Sequence, residues 1–130
     1  MKSIILPLFA FLLTVQLHAQ VSNVSYESTF VKFHHDFDES LNLAKASNKK
    51  VLMIFSGSDW CKPCIQLRNS ILTKEEFVQF SESKLILLEL DFPYRKKNKL
   101  PKDQKAHNDT LAEQYNSEGA FPKLILFDDN

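Results

Sequence analysis

The chain is poor in glycine and cysteine, carries no excess of either charge, and lacks an apolar run long enough to cross a membrane. Each shortage narrows what it can be. Two glycines among 130 residues, beside 44% apolar residues, describe a packed globular chain rather than a disordered one. Sixteen basic side chains balance sixteen acidic ones, which argues against nucleic acid as the main partner. Two cysteines are too few for a protein held together by a disulfide framework. No internal repeat, low-complexity tract or domain boundary interrupts the sequence.

The N-terminus reads as a secretory signal. Lys2 supplies a positive charge, the stretch IILPLFAFLLTV is apolar, and QLHAQ follows with small Ala19 at a cleavage position. A spanning helix needs about 20 apolar residues, and this run is shorter. No cysteine follows the cleavage position, so a lipid anchor has no support. The expectation is a signal peptide over 1–19 and one domain over 20–130, periplasmic or secreted, without a stable membrane anchor. Outside the cytoplasm two cysteines tend to pair.

Strand and helix patterns alternate from there. A short strand is expected around Thr29 to Phe33. A helix over 36–47 places Phe37, Leu41 and Ala44 on one face, with Asp36 as cap and Asn48 near its end. The continuous apolar runs 51–55 and 85–90 predict strands covered on both faces. Between them, Thr73 with Glu76 reads as a capping box opening a helix near Lys74. A weakly amphipathic helix from Asp103 to Asn116 and a last strand over 123–127 complete the pattern. The fold class is therefore α/β with parallel pairing at its centre. In the segment 95–105, Arg95, Lys96, Lys97, Lys99, Lys102 and Lys105 face the single acid Asp103. That is either a plain solvated loop or a landing patch for an acidic partner.

Chemistry is concentrated in SGSDWCKPCIQL, residues 56–67, where Cys61 and Cys64 follow the only tryptophan. The spacing by itself fits a redox centre, half of a metal site or a structural staple. A nucleophilic sulfur must be a thiolate, and free cysteine, with a pKa near 8.5, mostly is not. Cys61 stands where a buried strand ends and a helix begins, so unpaired amides and the helix dipole favour its anion. Lys62 adds a cation and Pro63 fits the first helical turn, while Asp59 works against ionisation. Cys64, one turn along, is expected to face inward with Leu67 and Ile71. An exposed attacking sulfur and a sheltered resolving one is the asymmetry disulfide exchange needs.

With Phe121-Pro122 ahead of the last strand, these residues resemble the thioredoxin-like superfamily. The nearer likeness is to exported bacterial thioredoxin-family proteins of the thiol:disulfide interchange type, which carry F-x-G-S-D-W-C, here Phe55 to Cys61, and L-D-F-P, here Leu90 to Pro93. The likeness covers residues 30–128. It implies a thioredoxin-like fold, a central mixed sheet with flanking helices. It assigns attack to Cys61, resolution to Cys64, and substrate contact to Trp60, Phe121 and a cis Pro122. No cofactor beyond a Cys61–Cys64 disulfide, and no metal, is implied.

Two departures accompany the likeness. Phe55 stands where thioredoxins bury a proton-shuttling aspartate, which leaves Glu89 as a candidate helper for Cys64. The family fold also runs on into a further strand and closing helix, so the domain reads as C-terminally incomplete. The function expected is an extracytoplasmic thiol–disulfide oxidoreductase acting on protein disulfides or thiols. Lys62 favours an oxidant and Pro63 a reductant, with a slight lean to a reductase recharged by a membrane electron-donor protein. The alternatives are a Cu(I) or zinc carrier using the cysteines, with His34, His35 and His107 as further ligands, and a binding module with a structural disulfide.

Overall fold

The first helix begins where Asp36 turns the chain. Its carboxylate accepts a 2.7 Å hydrogen bond from the Glu39 amide, and helix α1 runs Phe37–Ser47. It stops at Asn48, whose backbone is left-handed at φ 53° and whose amide bonds back to Ala44 and Lys45. Phe37, Leu41 and Ala44 face the core as their spacing predicts. These relations come from a computed structural model that describes residues 30–128. The expected signal peptide with its cleavage near Ala19, and the start of the expected first strand at Thr29, lie outside the described residues.

Four strands form one sheet in the order β1-β3-β2-β4: β1 Phe33–His34, β2 Lys50–Ser56, β3 Leu85–Asp91 and β4 Lys123–Phe127. β1, β3 and β2 pair in parallel, and β4 runs antiparallel to β2. β1 is shorter than expected and begins at the last residue of the predicted span. Met53, Phe55, Leu88 and Leu90 in the two central strands are wholly buried. Each such side chain contributes about 1.5–3 kcal/mol through the water it leaves.

β4 departs from the expectation of strands buried on both faces. Lys123, Ile125 and Phe127 are half-buried, whereas Leu124 and Leu126 on the opposite face are exposed. A strand alternates its side chains between faces, and no described element covers the second one.

After β2 come α2, Lys62–Leu67, a π turn at Arg68–Leu72, and α3, Glu75–Lys84. The π turn changes the expected packing. Its Thr73 amide reaches back five residues to the Arg68 carbonyl at 3.0 Å, so one extra residue enters the turn. Leu72 is consequently buried and Ile71 is 49% exposed, the reverse of the expected face. The Thr73 hydroxyl also donates to the Arg68 carbonyl. It closes the preceding turn, then, and does not form the predicted capping box; Lys74 is the residue flanking α3. Past β3, a 3-10 turn at Lys96–Asn98 leads to α4, Lys102–Tyr115. Leu111 packs inward from α4 as expected, and Asn108, not His107, is its buried polar residue.

Candidate active site

The carboxyl ends of the parallel strands β2 and β3 lie side by side, with Ser56 opposite Asp91 in register. Ligand sites in parallel sheets collect at such ends, and the chain leaves both strands here in tight turns. The Phe92 amide donates to the Ser56 carbonyl at 2.8 Å, continuing the ladder one step. The Gly57 carbonyl accepts the Cys61 amide at 2.9 Å, which closes the turn 57–61 and delivers Cys61 to the start of α2.

Cys61 and Cys64 form a disulfide, with their Cα atoms 5.3 Å apart. Cys61 is the residue capping α2, and its Sγ accepts the Cys64 amide at 3.2 Å. An amide near a helix start has no partner within the helix, and here a sulfur supplies one. Pro63 occupies the first turn, where its missing N–H costs nothing. Lys62 and Pro63 are both exposed. The expected difference in exposure between the sulfurs is absent in this oxidised state, since Cys61 is 3% and Cys64 4% exposed. In the closed ring the Cys61 sulfur lies against the Cys64 amide. The two cysteines differ by position, one capping the helix and the other inside its first turn.

Around the disulfide the two strand ends are stitched to each other. Asp91 accepts from the Ser58 amide at 2.8 Å and the Ser58 hydroxyl at 2.6 Å. Asp59 does the reverse, accepting from the amides of Tyr94 at 2.9 Å and Arg95 at 3.0 Å and from the Asn98 side chain at 2.8 Å. The Trp60 indole N–H donates to the Phe92 carbonyl at 2.7 Å. A Cβ on Gly57 would fall 2.6 Å from Trp60 Nε1, so glycine is what lets the indole lie across the turn. The Phe121–Pro122 bond is cis. The Phe121 ring meets Trp60 edge-on at 5.4 Å and Phe92 at 5.5 Å, and Phe92 stacks on Phe55 at 6.4 Å. An aromatic platform thus runs from the buried strand to the surface beside the cysteines, where Trp60 remains 48% exposed.

The sequence named Cys61, Cys64, Trp60, Phe121 and Pro122, and the structure brings Trp60 and Phe121 together next to the Cys61–Cys64 turn. Asp59 has a different place from the one expected of it, because its carboxylate is turned to the 94–98 loop. Partial desolvation works to raise its pKa, but the hydrogen bonds from Tyr94, Asn98 and Arg95 and the Arg95 charge outweigh it and hold it below the usual carboxylate value. Glu89 is nearly buried and ion-paired with Arg68, with no hydrogen bond to Cys64. The Arg68 guanidinium in turn covers the Phe33 ring at 4.7 Å. This pairing occupies the carboxylate offered as a helper for Cys64.

The described histidines are engaged elsewhere. His107 Nε2 accepts the Phe37 amide at 3.2 Å, and His35 Nδ1 lies 3.2 Å from the Glu89 carbonyl. Desolvation, and then the Lys32 charge, hold the His34 pKa below its ordinary value. Among the described residues no three His, Cys, Asp or Glu side chains converge as metal ligands. Sequence reasoning missed three residues that shape the site. They are Gly57 beneath the indole, Asp91 clamping Ser58, and Asn108, whose side chain donates to the Asp91 carbonyl at 2.9 Å. Gly57 and Asp91 fall within F-x-G-S-D-W-C and Leu-Asp-Phe-Pro, motifs that mark the two positions without showing what they touch.

Comparison with known proteins agrees with this geometry. A family model described as thioredoxin-like matches residues 32–129. Disulfide bond reductase DsbH of Chlamydia pneumoniae is 38% identical over 92 residues, 71% of this chain and 54% of the relative. Thioredoxin-related protein DsbJ of the same organism is 31% identical over 81 residues, 62% of this chain and 23% of that protein. The chain therefore spans about half, or less, of the curated relatives it matches. Among solved structures, a DsbH oxidoreductase superposes with a TM-score of 0.65 at 34% identity, over 74% of this chain and 64% of that one. A thioredoxin from Thermus thermophilus, at 18% identity and a TM-score of 0.54, covers 74% of this chain and 63% of its own and shares the fold.

Proposed function

The chain belongs to the thioredoxin-like family, and from that premise we propose that it is an extracytoplasmic thiol–disulfide oxidoreductase working through Cys61 and Cys64. One observation carries the reading: the Cys64 amide is already aimed at the Cys61 sulfur, 3.2 Å away. A donor fixed by the helix needs no reorganisation when the ring opens and the sulfur becomes an anion. The Cys61 thiolate is thereby stabilised relative to free cysteine.

In the reducing direction, the Cys61 thiolate attacks one sulfur of a substrate disulfide. A Cys61–substrate bond forms, the substrate S–S bond breaks, and the first substrate sulfur leaves as a thiolate. Cys64, deprotonated in turn, attacks the Cys61 sulfur, restoring the Cys61–Cys64 bond and releasing the second substrate thiolate. Two electrons pass to the substrate, and a dithiol donor protein in the membrane returns them to the pair. The chain's own disulfide is the only redox group required. Trp60, Phe121 and Pro122 form the contact surface, with the backbone at Phe121 offering strand-like pairing to an extended substrate. Lys62 and Pro63 tune the pair from exposed positions.

The reductase direction is supported by the name of the 38%-identical relative, a disulfide bond reductase. An exported location is supported by the charge, apolar run and Ala19 of the first nineteen residues. Reduction of a model protein disulfide by the purified chain with a thiol donor tests the reading. We expect turnover with the unmodified protein, none with Cys61→Ser, and long-lived mixed disulfides with Cys64→Ser. Turnover no faster than buffer for all three proteins would falsify it.

A further inference from the structure

We propose that the basic loop 94–99 selects substrates by docking an acidic peptide segment that flanks the substrate's disulfide. The inference rests on the exchange reading above and names the class of substrate it serves. The loop is no free tether. Asp59, two residues before Cys61, binds it through the Tyr94 and Arg95 amides and the Asn98 side chain, so the segment that carries the cations is tied to the turn that delivers Cys61.

Between this loop and the start of α4 lies a groove of about 290 Å³. Phe92, Pro93 and Leu100 give it an apolar lining and Arg95, Lys96 and Lys99 a cationic one. The acid that also lines it, Asp91, is occupied by Ser58 and the Phe92 amide. Lys96, Lys97, Lys99 and Lys102 form no ion pair with any described carboxylate. Tyr94 stands 86% exposed at the rim. Phe92 belongs both to the groove and to the aromatic platform with Phe121 and Trp60. A segment seated in the groove is therefore continuous with the surface beside Cys61. Unpaired cations over an apolar lining fit a peptide bearing Asp and Glu among apolar residues, and clustered charge speeds encounter as well as fixing register.

The test is single-turnover transfer from the pre-reduced chain to synthetic peptides that share one disulfide ring and differ only in an acidic, neutral or basic flank. The acidic peptide should react about tenfold faster than the neutral one at low ionic strength. The gap should close in 1 M salt, where screening shortens to about 3 Å. Substituting Lys96→Gln, Lys97→Gln and Lys99→Gln together should bring the acidic-to-neutral ratio to about one. The distant triple change Lys32→Gln, Lys45→Gln and Lys84→Gln, equal in net charge, should leave it.

If the neutral peptide is untouched by the unmodified protein, exchange itself fails and the inference falls with it. If the neutral peptide reacts but the acidic one has no advantage, or both triple variants lose the advantage equally, docking is overturned while exchange stands. Loop-dependent sedimentation with phosphatidylserine vesicles, combined with a peptide ratio of one, assigns the patch to a membrane surface and also overturns it.

Discussion

Replacing Gly57 with alanine is a one-carbon change that tests how the catalytic turn is built. The added Cβ would lie 2.6 Å from Trp60 Nε1 and 2.7 Å from Cζ2, closer than a methyl carbon can approach either atom. The backbone at Gly57 is outside the left-handed region, so alanine suits the main chain and the conflict is with the indole alone. Trp60 must swing away. It then loses its 2.7 Å bond to the Phe92 carbonyl, worth about 0.5–1.5 kcal/mol. It also loses its edge contact with Phe121 at 5.4 Å, worth about 0.5–1.5 kcal/mol.

The expected loss is about 2 kcal/mol, which for a domain of this size lowers Tm by about 10 °C. Trp60 is the chain's only tryptophan, so its fluorescence reports the displacement directly, with emission moving toward that of a solvated indole. The double variant gives the sign check. With Trp60→Ala already made, Gly57→Ala should cost nothing and should gain about 0.4–1 kcal/mol by restricting the unfolded chain. An unchanged melting curve and emission spectrum in Gly57→Ala would refute the packing of indole on glycine.

Three other perturbations follow from the same geometry. Leu88→Ala, at a wholly buried position in β3, should cost about 2–5 kcal/mol in denaturant unfolding; a loss below 1 kcal/mol would contradict its place in the core. Arg68→Met strands the Glu89 carboxylate. Full burial of such a charge costs about 3–5 kcal/mol, and the one-third exposure of Arg68 brings the expected loss to about 2 kcal/mol, whereas Glu89→Gln with Arg68 intact should cost less. Asp59, with its pKa held below the ordinary 3.8, stabilises the fold above that value and loses the contribution as pH falls through its lower folded-state value. Carbon-detected titration should place its midpoint under 3.8, and Asp59→Asn should remove the acid dependence of the 94–98 loop; a midpoint above 3.8 would contradict the clamp.

Much of the scaffold was legible because local rules were left unopposed. Asp36 and Asn48 bound α1 where their capping chemistry places them, and the apolar runs became β2 and β3. Failures came where tertiary context decided. The π turn after α2, closed by the Thr73 amide on the Arg68 carbonyl, moved burial from Ile71 to Leu72 without any mark in the hydrophobic period. Thr73 and Glu76 satisfy the spacing of a capping box, yet the Thr73 hydroxyl found a nearer acceptor at the end of that turn. β4 is apolar from Leu124 to Phe127, but its burial depends on what lies over each face. At the site, the cysteines, Trp60 and Phe121 could be read from their motif. The roles of Asp59 and Asp91 could not, since each depends on two strand ends meeting in register, a relation between residues more than thirty positions apart, and that of Gly57 depends on Trp60 being drawn across the turn by its bond to Phe92.

Everything attributed to the cysteine pair depends on the amide of Cys64 favouring an anion on Cys61. The direct measurement is thiolate ultraviolet absorbance against pH for the reduced chain, with Cys64→Ser used to isolate Cys61. The Cys61 thiol should ionise well below the value of free cysteine, about 8.5. Ionisation at or above that value would contradict the account.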